Sequence, residues 1–262
     1  MRSLILLAAS AAAVFAQTAA PNESGVSIGH VHLVVGDPEA QKKLFVGILG
    51  AEVTNAGTLE MLKLPGTFIV VQKARTAPTG GTDGSSVNHF GFLVRNSADI
   101  KTKLAAAGVT FPLDRPEQKQ FIAEFPESVR VEFTENASLK TPIAFHHFHL
   151  ATTDTDALRA WYVKTFGAKA GKRNDFLAAF VPGGEVDFRK ADAAPAPTKG
   201  RSLDHIGFEI KGLEAFCKNL EAQGIPFDLA YREMPQLGGM KLAFILDPVG
   251  TRIELTEGLV NH

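Results

Sequence analysis

The 262-residue sequence has one cysteine, Cys217, so no disulfide can form within the chain. It has almost no excess charge: 27 basic against 28 acidic residues give a formal net charge of −1. That balance removes the electrostatic case for a nucleic-acid partner or for attraction to an anionic membrane surface. A membrane-spanning run is also lacking. The one long apolar stretch, Leu4 to Ala16, is too short for a bilayer, which needs roughly 20 residues. With Arg2 before it and small residues at its end, it reads as a signal peptide over 1–16, followed by a flexible tail over 17–26. No cysteine lies near the cleavage site, so no lipid anchor is expected. The expectation is an exported protein, secreted or periplasmic, with no membrane attachment once the signal is removed. Cys217 lies in "GLEAFCKNLEAQGI", where Leu213, Phe216, Cys217 and Leu220 share one helical face. It reads as a packing residue.

What the sequence does have is an internal repeat. "GHVHLVVGDPEAQKKLFVGILGA" resembles "HHFHLATTDTDALRAWYVKTFGA", pairing His30 with His147, His32 with His149, Asp37 with Asp154 and Gly50 with Gly167 at one constant offset. Pro65-Gly66 recurs at Pro182-Gly183. Further on, "VNHFGFLV" matches "LDHIGFEI" and "RVEFTE" matches "RIELTE", pairing His89 with His205 and Glu132 with Glu254. The chain is therefore a tandem duplication, 27–137 and 145–258, joined by a linker at 138–144. Each half divides again at a Gly/Pro/Ser/Ala-rich connector, "ARTAPTGGTDGSS" or "KADAAPAPTKGRS". The result is four units, each a strand, a helix and three further strands. Asp37-Pro38 marks a helix start, Gly50 and Gly167 mark helix ends, and "SADIKTKLAAAG" predicts a helix capped by Ser97.

Side chains alternate across a strand. In 30–35 the apolar face is Val31, Leu33 and Val35, which leaves His30 and His32 opposite. Phe148 and Leu150 likewise oppose His147 and His149, and His146 falls on the outer side. Ile206, Phe208 and Ile210 oppose His205, Gly207 and Glu209; Ile253 and Leu255 oppose Glu254; Val186 and Phe188 oppose Asp187. A face this rich in imidazole and carboxylate reads as a concave polar cleft. Gly91 and Gly207 leave room beside the histidines, as expected where something approaches a strand closely.

The motifs "HVHLVVGD", "HFHLATTD", "NHFGF", "DHIGF" and "DPVGTRIEL" together resemble the vicinal oxygen chelate superfamily, which holds glyoxalases, bleomycin-resistance proteins and extradiol dioxygenases. The resemblance implies an α+β fold: four βαβββ modules paired into two curved, open-barrel sheets, each around a divalent metal. Carried onto this sequence, it implies a metal set of His147, His205 and Glu254 in the second half, with Asp187 as a fourth ligand. The first half would offer His30, His89 and Glu132, but Val70 stands where Asp187 would repeat, so the second cleft is the expected site. The implied metal is Fe(II) or Mn(II), with Zn or Ni as alternatives, because two histidines and a carboxylate leave coordination positions open. His32 and His149 are additions to the family pattern; each is an extra ligand, a supporting group or a general base. Glu254 and His149 are the expected catalytic residues.

The resemblance implies a metal-dependent lyase, isomerase or ring-cleaving dioxygenase acting on a small oxygenated molecule. The alternatives are a sequestering protein without turnover, of the bleomycin-resistance type, and a structural metalloprotein with closed coordination. Against an extradiol dioxygenase, Phe244 stands where that class carries an active-site tyrosine. Trp161 and Tyr162 read as helix packing, Arg201, Tyr231 and Arg232 receive no role, and the oligomeric state stays open.

Overall fold

The computed structural model describes residues 18–262. The signal peptide expected over 1–16 lies outside the described residues. Four modules succeed one another along the chain. The first holds β1 (Val26–Val35), α1 (Pro38–Gly47), β2 (Glu52–Ala56), β3 (Leu59–Leu64) and β4 (Thr67–Lys73). The second holds β5 (Val87–Val94), α2 (Ser97–Ala106), β6 (Thr110–Arg115), β7 (Gln120–Phe125) and β8 (Val129–Glu135). The third holds β9 (Ile143–Thr152), α3 (Thr155–Phe166), β10 (Lys169–Arg173), β11 (Phe176–Val181) and β12 (Gly184–Lys190). The fourth holds β13 (Leu203–Ile210), α4 (Leu213–Ala222), β14 (Phe227–Met234), β15 (Met240–Leu246) and β16 (Arg252–Glu257). The βαβββ order expected from the repeat holds in all four.

The pairing of modules departs from the tandem reading. One curved, open eight-stranded sheet runs β14-β15-β16-β13-β1-β4-β3-β2 and joins the first module to the fourth. The other runs β10-β11-β12-β9-β5-β8-β7-β6 and joins the second to the third. The structural domains are therefore nested. Strands between Val87 and Lys190 build the inner sheet, and the two outer segments of the chain build the other. The boundaries 27–137 and 145–258 describe the sequence repeat and not the sheets. The reason is physical: similar modules offer similar seam strands, and alternation along a strand fixes which face is buried without saying which module lies alongside. In each sheet the seam is antiparallel, β1 against β13 and β5 against β9.

The apolar faces of both sheets share one core with the helices. Phe45 of α1 stacks on Phe90 of β5 and meets Phe125 of β7 edge-on, at 6.5 and 5.3 Å. Phe166 of α3 stacks on Phe208 of β13 at 4.5 Å. α1 and α3 thus pack against both sheets, and the histidine-bearing faces turn away from this core. Each such phenylalanine contributes roughly 1.5–3 kcal/mol on burial. Cys217 and Tyr162 are buried in the same core. Burial pushes the Cys217 thiol up to about 11, which suits packing and not nucleophilic chemistry.

Local signals hold with two adjustments. Asp37 and Asp154 cap α1 and α3 by accepting from Ala40 N and Ala157 N. α2 is capped by Asn96, which accepts from Asp99 N; Ser97, the residue expected there, is the first helical residue and binds Glu135 instead. α1 ends at Gly47, ahead of Gly50, whereas Gly167 caps α3 in the left-handed conformation. The tail expected to be flexible is tied down over its described part. Asn22 Nδ2 donates to the carbonyls of Phe166 and Gly167, and Lys211 N donates to Gly25 O. The two Gly/Pro-rich connectors also bind each other. Ser86 N donates to Ala196 O, Ser202 N donates to Gly80 O, and the Arg201 guanidinium reaches the carbonyls of Gly81 and Asp83.

Candidate metal centres in two clefts

The outer sheet gathers His30 and His32 from β1, His205 from β13 and Glu254 from β16. Ligand atoms of all four lie within 4.8 Å of one another, and all four residues are buried. Strand register produces the cluster: His32 stands opposite His205, and His30 opposite Gly207. A Cβ on Gly207 would run into the His30 ring, so only glycine leaves that imidazole its place. Glu254 Oε2 lies 2.9 Å from both His30 Nε2 and His205 Nε2. His205 Nδ1 lies 2.7 Å from Asp204, which Arg252 holds at 2.9 Å. Burial opposes the charged form of His205, but the bonds to Asp204 and Glu254 outweigh it and raise its pKa. Burial also opposes charge on Glu254, and His205 and His30 overcome it, leaving the carboxyl well below the usual range. His32 is driven well below an ordinary histidine by burial and by His205.

The inner sheet repeats the arrangement. His147 and His149 come from β9, His89 from β5 and Glu132 from β8. The three histidines are buried with nitrogens within 4.8 Å. His149 stands opposite His89, and His147 opposite Gly91, where a Cβ would again strike the ring. Glu132 approaches His89 Nε2 at 3.2 Å and His147 Nε2 at 3.7 Å. Gln120 Nε2 and Thr134 Oγ1 donate to Glu132 Oε1 at 3.0 and 3.2 Å. Burial works against Glu132 ionising, yet His89 and Arg173 hold it down at about 2. Asn88 Oδ1 accepts from His89 Nδ1 at 2.9 Å, the place Asp204 takes in the other cleft. Burial and the Arg173 charge hold His147 well below an ordinary histidine; burial and His89 do the same to His149.

The structure therefore regroups the expected sets. His205 and Glu254 lie in the outer cleft with His30; His147 and Asp187 lie in the inner one with His89 and Glu132. Neither His147–His205–Glu254–Asp187 nor His30–His89–Glu132 converges on a point. The cause is the exchanged module pairing. Asp187 does face its cleft, opposite His149, but its Oδ2 binds Arg173 Nε at 2.5 Å, and it is absent from the histidine cluster. Burial raises Asp187 to about 6 and its neighbour Glu185 to about 7. His146, placed on the outer side from sequence, brings its Nδ1 to 3.0 Å from His147 Nδ1 and its Nε2 to 3.4 Å from Glu185.

Sequence reasoning missed Asn88, Asp204, Gln120 and Arg173. The first two were legible, since each directly precedes a cleft histidine in "VNHF" and "LDHI". Arg173 carried no local signal, because its partners lie on other strands.

The buried ring nitrogens fit a metal. Hydrogen-bond partners are lacking for His30 Nδ1, both nitrogens of His32 and of His149, His147 Nε2 and His89 Nε2. Each unmet buried polar atom costs about 1–3 kcal/mol unless something binds it. The paired βαβββ sheets define the glyoxalase-type fold. Glyoxalase I from Zea mays is similar over 90% of this chain and 94% of its own, with 14% identity and a TM-score of 0.68. A proposed dioxygenase from Bacillus subtilis is similar over 92% and 86%, with 15% identity and a TM-score of 0.67. No curated protein matches the sequence. Residues 144–255 match the family model of the glyoxalase/bleomycin resistance protein/dioxygenase superfamily, and the fold of the described chain is of the same type.

Proposed function

We propose that the protein is an exported, divalent-metal-dependent enzyme that acts on a small oxygenated substrate, a lyase or isomerase before a dioxygenase. One observation carries this reading: each cleft buries three histidines whose ring nitrogens converge, and in each cleft several of those nitrogens lack a hydrogen-bond partner. When bound, the metal would polarise a substrate oxygen and stabilise the charge developing on it. His89, His147 and Glu132 would hold it in the inner cleft; His30, His205 and Glu254 in the outer one. Around them, Asn88 and Asp204 fix the Nδ1 protons of His89 and His205 and so aim Nε2 inward. Gln120 and Arg173 keep Glu132 anionic and oriented. Phe244 in one cleft and Ile122 in the other occupy the position where a ring-cleaving enzyme of this superfamily would carry a proton-donating tyrosine, which favours the lyase or isomerase reading.

The inner cleft is the preferred site of turnover. It opens into a cavity of about 870 Å³ lined by Arg115, Arg130, Arg173 and Arg189. The outer cavity is about 280 Å³, and its lining joins leucines and methionines to the cluster residues, with Arg232 as its one arginine. Protein from metal-replete growth should carry iron, manganese, nickel or zinc by elemental analysis; a metal-free preparation that takes up none of them would end the proposal. Turnover of 2-oxoaldehyde–thiol adducts or catechols, lost in Glu132→Gln, separates an enzyme from a sequestering protein, which would bind without converting. N-terminal sequencing of secreted material should begin near Gln17.

A further inference from the structure

Building on that metal-dependent reading, we propose that His32 and His149 are ligands, so that each cleft holds its ion with three imidazoles and one carboxylate instead of two imidazoles and one carboxylate. The family pattern does not require these residues. The geometry carries them. Each stands directly across the antiparallel seam from a ligand of the proposed site, His32 opposite His205 and His149 opposite His89, with ring centroids 4.2 and 4.6 Å apart. Directly opposed side chains on one sheet face are near neighbours, so both rings of each pair address the same point.

Their surroundings offer nothing else. His32 is 7% exposed and His149 is 4% exposed, and neither ring has a hydrogen-bond partner on either nitrogen. Gln72 lies beside His32 without meeting it in hydrogen-bond geometry. His149 packs edge-on against Phe176 at 4.7 Å. A histidine retained for packing normally satisfies at least one nitrogen. Here two pseudo-equivalent histidines leave both nitrogens unmet, in clefts whose other residues have diverged: Val70 against Asp187, Ala56 against Arg173, Leu242 against Gln120.

The consequence is a change of ion class. A third neutral imidazole favours nitrogen-seeking ions such as Zn(II), Co(II), Ni(II) or Fe(II) over Mn(II), which prefers oxygen donors. The test uses the full chain stripped with a chelator, then titrated with Co(II) and, in competition, Mn(II). Wild type should bind two Co(II) ions. His149→Ala should weaken one of them and His32→Ala the other, each by more than about tenfold. His149→Asp and His32→Asp should move the altered site toward Mn(II) by a similar factor. The untouched site within each variant reports that the chain has folded. Wild type that binds Co(II) while all four variants keep both affinities would overturn the three-imidazole centre and leave the metal reading standing. Wild type that takes up neither ion would remove both.

Discussion

The two clefts start from the same backbone and the same four ligand-type residues, yet they differ in almost everything around them. In the inner cleft, Arg173 lies among Glu132, Glu185 and Asp187, and polar groups steer Glu132. In the outer cleft, Ala56, Phe68 and Val70 take the corresponding places, and Glu254 is held by the histidines alone. The cavity is larger and lined by four arginines in one, and smaller, with Leu59, Leu237, Met240 and Leu259 in its lining, in the other. A duplicated scaffold has kept the convergent imidazoles and changed what can reach them. The backs of the modules diverge in the same way. Phe45 pairs with Phe125 behind the inner sheet, while Tyr162 OH donates to Asp247 at 3.0 Å behind the outer one.

These contrasts can be broken one at a time. The largest effect is expected from Arg173→Met. It strips the counter-charge from three buried acids and should cost about 3–5 kcal/mol in a denaturant titration at pH 8. The loss should shrink toward pH 5, because burial holds Glu185 and Asp187 at about 7 and about 6 and they become neutral there. The outer cleft has no counterpart to this variant. Next come Gly91→Ala and Gly207→Ala, each forcing a methyl into an imidazole at a cost of about 1–3 kcal/mol. Metal analysis should show each to empty only its own cleft; loss of both ions from either variant would mean that the clefts are not independent. Tyr162→Phe should cost about 1 kcal/mol by removing one donor from Asp247, read from the thermal midpoint. The smallest effect concerns pH. Burial raises Asp247 from 3.8 to about 6, so its contribution to stability is full below its unfolded value and fades as pH climbs through 6. Asp247→Asn should flatten that part of the stability curve.

The fold was largely readable because it rests on local and periodic signals. "HVHLVVGDPEA" states a strand, a face, an aspartate cap and a helix within a dozen residues, and the structure agrees at each. The repeat gave four modules for the same reason. What a repeat cannot encode is the partner of each module. Nothing local in β1 distinguishes β5 from β13 as its partner, and in the fold it pairs with β13. The cleft histidines and acids were therefore placed on the correct strand faces one by one, but not in the groups that the sheets bring together. Arg173 stayed hidden because its role depends entirely on acids brought near by that grouping.

The nested order of the chain bears on how it is made. The inner sheet can close as soon as Lys190 has been synthesised, since all of its strands are contiguous. The outer sheet cannot, because the seam edge of β1 stays uncovered until β13, Leu203–Ile210, has been made. Pairing so distant in sequence is slow, and in the interval β1 offers a bare edge to any neighbouring strand. A nascent chain would thus pass through a stage with one finished half and one sticky ribbon, when a holding chaperone would matter most.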